Sequence, residues 1–517
     1  MNIVVVGGGT AGWLAALFIS KLHPNHNVTV VASKEIGVIG AGEAVTGALT
    51  DVIVGHYGDF GIDPAEFCRE TSAMPKYGIL HKDWTSKKGF DYFGPIDGTL
   101  TSLQMPDSII AYLASQHPDK VHMGAFFGQM YDSNISPISK ITNNIEVSTH
   151  AFHFDAKLVA QYLEKHCLKS PNCSLIDAKI LDANLDEQGF IKSLLLENQT
   201  TVNGDFFIDA SGFKRILMKK LETKWVDYKK HLPVNAALPF FLDYDKGEEP
   251  KCYSTAWAQS SGWYWEANIQ SRKGCGYTFC DDFITADQAQ AEIETTLGRK
   301  ITPINYFKFE TGRLENTWVK NCLAIGLAGA FAEPLEATSI HSTIVQLSHL
   351  CFEFLKPTKE DTLNPGSILF YNTRVNTMFD DFKDFLVAHY LGGRTDSEFW
   401  RYITAGNTLT DFTKNLKETC KSRLPTKYDF SSYHGAAPWA IWSFILVGTG
   451  QISPEVAYKH LTKDVIQEAV DELNKLTISM EKLRLTHYSF DEYRNIINNN
   501  NVKFMPKRGV EWHVGLK

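Results

Sequence analysis

The chain has 517 residues, enough for about three domain-sized units at about 150 residues per domain. Hydrophobic residues make up 44% and charged residues 21%, the balance of a folded globule, which excludes disordered and fibrous architectures. Lys and Arg total 51 against 59 Asp and Glu, a net charge of -8, so the chain lacks the electrostatic motive for nucleic acid or an anionic membrane, and neither is expected as a partner. Nine cysteines are scattered without a Cys-x-x-Cys pair, which argues against a disulfide framework and a structural zinc site and for a reduced, cytoplasmic setting. The longest apolar stretch, Pro438 to Val447, falls short of the roughly 18 residues that cross a bilayer. The first lysine is Lys21, so the apolar N-terminus reads as a strand and helix rather than a signal peptide.

In chain order, Asn2 to Val6 is a continuous β-branched run, the pattern of a strand buried on both faces of a parallel sheet. Helical spacing follows from Trp13 to Leu22, then a second buried strand from Val28 to Val31, and together these predict a βαβ unit. Short strands are predicted at Ser174 to Ala178, Ile191 to Leu196 and Phe206 to Ile208. Thr285 with Gln288, and Ser489 with Glu492, have the spacing of capping boxes, and Gly298 would end the first of these helices. Val465, Ile466, Ala469, Val470, Leu473 and Leu476 predict an amphipathic helix, so the last third reads as mostly helical. No internal repeat or long linker interrupts the chain, and its modules are expected to interleave in one body.

Between the first strand and helix lies Gly7-Gly8-Gly9-Thr10-Ala11-Gly12, a Gly-x-Gly-x-x-Gly turn. The first glycine permits the tight turn, the second lets backbone approach a pyrophosphate, and the third lets helix and strand pack closely. The helix start adds free N–H groups and partial positive charge. Gly7, Gly9, Thr10, Ala11 and Gly12 are therefore candidate cofactor-binding residues. The acidic residue that usually grips a ribose lies about 20 residues onward. Here that place is Ala32, followed by Ser33, and the Ser33 hydroxyl is the candidate ribose contact.

Four further segments stand out: Gly40-Ala41-Gly42-Glu43-Ala44-Val45; Lys76-Tyr77-Gly78-Ile79 ending at Trp84; Gly262-Trp263-Tyr264-Trp265; and Ala324-Ile325-Gly326-Leu327-Ala328 continuing into Glu333-Pro334-Leu335-Glu336-Ala337-Thr338-Ser339-Ile340. Lesser matches are His153-Phe154-Asp155-Ala156 and Asp209-Ala210-Ser211-Gly212-Phe213. In order and spacing these segments resemble the flavin-dependent halogenases, and most closely the tryptophan-halogenase branch. The resemblance implies an α/β fold: a Rossmann-like FAD-binding module of the flavin monooxygenase type (residues 1–225 and 300–370), interleaved with a substrate-binding module made of an antiparallel sheet and a mostly helical C-terminal part (residues 226–299 and 371–517). Two places depart from the pattern. Glu266-Ala267-Asn268 stand between Trp265 and Ile269-Gln270, where Ile-Pro usually follows directly, and Ala337 and Ser339 stand where serine and glycine are common.

The resemblance implies that FAD, used as FADH2, works with oxygen and a halide to generate hypohalous acid, which crosses an internal tunnel to an electron-rich small aromatic, indole- or phenol-like. It assigns Gly42, Glu43, Ala44, Gly326, Leu335 and Ile340 to the cofactor, the backbone N–H groups of Thr338 and Ser339 to the halide, and Trp263 and Trp265 to the tunnel. Lys76 and Glu336 are the implied catalytic pair. Lys76 would carry the electrophile as a haloamine or polarise it as an ammonium. At the unperturbed pKa only about one lysine in 2,500 is neutral at pH 7, so the haloamine route needs a desolvated site that lowers it. Glu336 would stabilise positive charge on the ring or take its proton. Tyr433, His434, Trp439 and Trp442 read equally as pocket wall or core, and His341 earns no catalytic role. No second glycine-rich loop after a strand suggests a nicotinamide site, so a separate flavin reductase is the expected partner; a homo-oligomer is compatible with the sequence, and no resident metal is expected. Rival readings are an aromatic hydroxylase of the same fold and a flavin-binding protein that has lost catalysis.

Overall fold

The computed structural model describes residues 1–37, 43–55, 57–96, 107–146, 150–430, 439–499 and 502–504. Its first organising element is a six-stranded sheet in the order Cys173–Asp177, Asn27–Ala32, Asn2–Val6, Phe206–Asp209, Cys322–Ala324, Trp318–Val319. Five strands run parallel and Trp318–Val319 is an antiparallel edge. Helix Thr10–Leu22 is buried almost all round because helices Ala156–Cys167 and Thr338–His349 cover the side turned from the sheet. An apolar run without polar alternation therefore suits both this helix and the central strands. The predicted N-terminal elements fall where expected, with strand ends shifted by one residue at Asn27–Ala32, Cys173–Asp177 and Phe206–Asp209.

A second, seven-stranded sheet has the order Phe307–Lys308, Ala236–Leu242, Lys273–Phe279, Gly262–Asn268, Tyr253–Ala258, Gly78–Lys82, Tyr92–Pro95. It is antiparallel except where Tyr253–Ala258 meets Gly78–Lys82. Glu266, Ala267 and Asn268, the residues interposed after the two tryptophans, simply lengthen strand Gly262–Asn268. A small sheet places Ala151–Phe154 between Glu43–Ala44 and Met74–Lys76. From Pro365 onward the chain is mostly helical, led by the 25-residue helix Pro365–His389.

Both capping boxes form: Thr285 with Gln288 opens helix Ala286–Leu297, which Gly298 ends in a left-handed turn, and Ser489 with Glu492 opens a short 3-10 turn. The amphipathic helix is longer than its apolar stripe suggests, Lys463–Thr486, and only Ala469 and Met480 in it are buried. Ile466 points to solvent and Val465, Val470, Leu473 and Leu476 are half-covered, because one face meets helix Asp107–Gln116. All nine cysteines are buried and unpaired. Among the described residues no helix is long and apolar enough to cross a membrane.

Candidate active site

Three loops converge at the carboxyl edge of the parallel sheet. Gly7 has φ +115, and a Cβ there would come within 2.4 Å of the Ala210 carbonyl oxygen; a Cβ on Gly12 would lie 1.9 Å from the Gly7 oxygen. Neither position admits a side chain. In the third loop a Cβ on Gly326 would sit 3.0 Å from the Ala11 side chain, which brings Ala324–Ala328 onto the first turn of the same helix. A Cβ on Gly9 would meet open space, and this residue caps the helix without a side-chain bond and with no acidic group in the first turn.

The result is a cradle of free backbone donors that fits a dinucleotide pyrophosphate. Ser33 follows the neighbouring strand, where its hydroxyl accepts from the Glu35 N–H (3.3 Å). Asp209, inside a matched segment, holds the loop in shape: its carboxylate accepts from the Ser211 N–H and hydroxyl and from the Leu217 and Met218 N–H groups, which fixes the turn beside Gly7.

Gly42 lies outside the described residues, as do Tyr433 and His434. The backbone of Glu43–Ala44 pairs with His153 and Phe154, and Thr46 just beyond bonds His341 (2.7 Å), tying this segment to helix Thr338–His349. Burial holds His341 down at about 4, so it is a neutral core histidine. Thr338 and Ser339 open that helix after Ala337, which takes a left-handed φ of +54 and offers no side-chain cap, so their N–H groups begin the helix unclaimed by a cap. Leu335 and Ile340 are buried on either side of this turn.

Lys76 ends strand Met74–Lys76, paired with Ala151, and is 0% exposed, with no hydrogen-bond partner for Nζ among the described residues. Burial pulls its pKa down from 10.5 to about 8, and the charge of Glu336 offsets part of that. Glu336 is 8% exposed at the end of the turn Pro334–Glu336. Lys76 and Glu336, far apart along the chain, are thus both buried, and the charge of Glu336 reaches Lys76.

Sequence reasoning missed the groups around them. Glu336 Oε1 lies 2.8 Å from His389 Nε2 and 3.9 Å from His81 Nε2. His81 stacks flat on Tyr92 (centroids 4.5 Å apart, planes 6°), and among the described residues neither its ring nitrogens nor the Tyr92 hydroxyl has a hydrogen-bond partner. Burial, with the charges of His389 and Lys76, holds His81 well below its ordinary pKa. His81 carried a signal: it lies in the Lys76–Trp84 segment at an inward position two residues after Ile79. His389, 53 residues beyond Glu336 on a long helix, carried none.

Trp263 is buried and Trp265 half-buried on the same face of their strand, 6.3 Å apart, with Trp265 covering Gly276. Trp84 links Trp263 to the histidines, 6.4 Å from Trp263 and 5.8 Å from His81. Behind them Tyr390 donates to Glu333, whose carboxyl burial pushes up to about 8. Trp439 and Trp442 belong to the adjoining core, Trp439 donating to Asp107 and Trp442 packing on Phe385.

Glycine-rich loops that fit a dinucleotide pyrophosphate, in a fold that also buries an amine, a carboxylate and two histidines, have the make-up of a dinucleotide-cofactor enzyme. The family model described as tryptophan halogenase matches residues 2–465. A tryptophan 7-halogenase of Kutzneria sp. (strain 744) is 31% identical over 479 residues, covering 84% of this chain and 85% of its own. Among solved structures, a tryptophan halogenase from Shewanella frigidimarina NCIMB 400 superposes with a TM-score of 0.88 at 22% identity, covering 97% of this chain and 98% of that one. A tryptophan C-6 flavin-dependent halogenase (chlorinase) from taromycin biosynthesis gives 0.84 at 26%, covering 96% and 99%. The chain belongs to the tryptophan halogenase family: it is a flavin-dependent halogenase of aromatic substrates, with FAD as its cofactor.

Proposed function

We propose that the chain halogenates a free, electron-rich small aromatic, with tryptophan and other indoles the first candidates and phenols next, using reduced FAD, oxygen and a halide. FAD, when bound, supplies the oxidising power that turns halide into hypohalous acid. Gly7, Gly9, Thr10, Ala11 and Gly12 would hold its pyrophosphate and Ser33 its ribose, with Gly42, Glu43, Ala44, Gly326, Leu335 and Ile340 along the rest. The N–H groups of Thr338 and Ser339 would hold the halide. Trp263 and Trp265 would keep the arene away from the flavin. The two interleaved modules, the separate reductase and a cytoplasmic setting are parts of the same proposal.

Lys76 handles the electrophile in this reading. The observation that carries it is a wholly buried amine with no hydrogen-bond partner among the described residues, lowered to about 8 and within reach of Glu336. At that value about one amine in ten is neutral at pH 7, against about one in 2,500 for an ordinary lysine. Both forms are thus accessible: the ammonium can polarise hypohalous acid, and the amine can take the halogen. Glu336 would oppose positive charge on the ring and accept its proton.

The test supplies FAD, a reductase, NADH, oxygen and chloride, bromide or iodide in turn to the protein with a mixed aromatic panel, and reads product masses. Halogenated product is expected, and Lys76→Ala should abolish it while FAD binding persists. Oxygenated product without halide dependence would point instead to hydroxylation.

A further inference from the structure

The contacts of His389 dictate where one proton lies. Its Nδ1 is 2.9 Å from the Phe385 carbonyl oxygen, which only accepts, so Nδ1 carries a hydrogen. Its Nε2 is 2.8 Å from Glu336 Oε1. A neutral ring protonated at Nδ1 would set a bare lone pair against a carboxylate oxygen at that distance, in a buried site. A second proton must therefore sit between Nε2 and Oε1, held by the pair as imidazolium and carboxylate or as imidazole and carboxylic acid.

His81 is placed to exchange it. Its Nε2 is 3.9 Å from the same oxygen, both ring nitrogens lack hydrogen-bond partners among the described residues, and the ring is fixed by its stack on Tyr92. One side-chain atom from each of His81, Glu336 and His389 lies within 4.8 Å of the others. The charge of Lys76 acts on His81 and on His153, so both imidazoles lie within its field; His153 is engaged by the Ser254 hydroxyl (2.8 Å), whereas among the described residues no side chain hydrogen-bonds His81, whose ring is influenced by the Ile79 backbone. The ionisable groups facing Glu336 are thus His389 from the long helix, His81 and Tyr92 from the large sheet, and Lys76 from the small one.

We propose that His389 and His81 are positioning residues that make Glu336 the head of a proton relay, His389 holding the carboxylate and its shared proton, and His81 returning the proton taken from the substrate ring to Lys76. This rests on the halogenase reading above. In the balanced step, the ring carbon forms its bond to halogen as the oxygen–halogen bond of hypohalous acid breaks. The departing hydroxide takes a proton from the Lys76 ammonium and leaves as water. The ring carbon–hydrogen bond then breaks, its electron pair restores aromaticity, and its proton passes to Glu336. Transfer through His81 recharges Lys76, so amine and carboxylate both return to their starting states.

Two variants test this, His389→Gln, which can still donate an N–H to Glu336 but cannot exchange a proton, and His81→Phe, which keeps a flat ring against Tyr92. With FAD binding unchanged, each should lower kcat about a hundredfold with little change in KM. His389→Gln should also raise the kinetic isotope effect of the ring-deuterated best substrate well above that of the wild type, because proton removal becomes limiting, whereas His81→Phe, which slows the later recharging of Lys76, should leave it no higher than in the wild type. A structural disturbance alone would not split the two variants in this way. Unchanged kcat in either variant, or an unchanged isotope effect in His389→Gln, would overturn the relay. Independently of turnover, histidine-selective 15N NMR of the wild type, with the His389 signals assigned by their loss in His389→Gln, should show Nε2 engaged by a proton. A free, unprotonated Nε2 would overturn the shared proton. Failure of the wild type to halogenate any arene would count against the functional reading itself, and the NMR result would still decide the state of the pair.

Discussion

A buried amine without a hydrogen-bond partner costs stability, and Lys76 shows how large that cost is. Its folded pKa of about 8 lies below the ordinary 10.5, so the unfolded chain binds the proton more tightly across that interval. The penalty is in full force below pH 8 and disappears as pH rises toward 10.5. Lys76→Met, which keeps the volume and removes the charge, should therefore raise the thermal unfolding midpoint at pH 7, by a free energy on the order of 3 kcal/mol, while ending halogenation. The advantage over wild type should shrink from pH 8 to 10, and a variant no more stable than wild type at pH 7 would contradict the desolvation argument. Glu333 is the mirror case. Its carboxyl is raised from 4.5 to about 8, so stability falls as pH climbs from 4.5 to 8 and the penalty is complete above that. Glu333→Gln retains an oxygen for the Tyr390 hydroxyl and cannot ionise, so melting curves should show a gain over wild type that grows between pH 5 and 8 and then levels off.

Elements differ in how plainly their residues announce them. Asn2–Val6, the glycine turn and Thr10–Leu22 are legible because each obeys a local rule: an unbroken apolar strand, a turn only glycine can make, and a helix that begins where the turn ends. The capping box at Thr285 is legible for the same reason. The full extent of helix Lys463–Thr486 is not, because exposed helices are held by contact on one face, and the apolar stripe marks that face rather than the helix ends. The glycine turn also yields the sharpest element-scale expectation. Gly12→Val would drive a side chain into the Gly7 carbonyl, which even the first carbon approaches to 1.9 Å. FAD titration should show binding lost, while circular dichroism shows secondary structure largely kept; tight FAD binding by this variant would remove the turn from the cofactor site.

At the scale of the whole molecule, the proposed catalytic pair is legible only through matched segments, since nothing local says that Lys76 and Glu336 come near each other. Their meeting depends on a junction: Lys76 closes the small sheet, and two residues later Gly78 begins a strand of the large one, with the Tyr77 N–H between them bonded to the Cys252 carbonyl (2.6 Å). His389 joins from a third element, and long-range assembly of that kind leaves no pattern in one sequence. The same architecture bears on where reducing equivalents enter. The loops at 7–12, 209–213 and 324–328 together build one cradle at one edge of the parallel sheet, and the sequence has no second glycine-rich turn after a strand. The proposal of a separate reductase therefore expects reduction to occur elsewhere and reduced FAD to arrive by diffusion. Purified protein with FAD should consume NADH slowly, and any active flavin reductase, including one with no affinity for this chain, should restore turnover in proportion to the reduced FAD it supplies. Rapid NADH oxidation by the chain alone would place a nicotinamide site in this fold and remove the need for a partner enzyme.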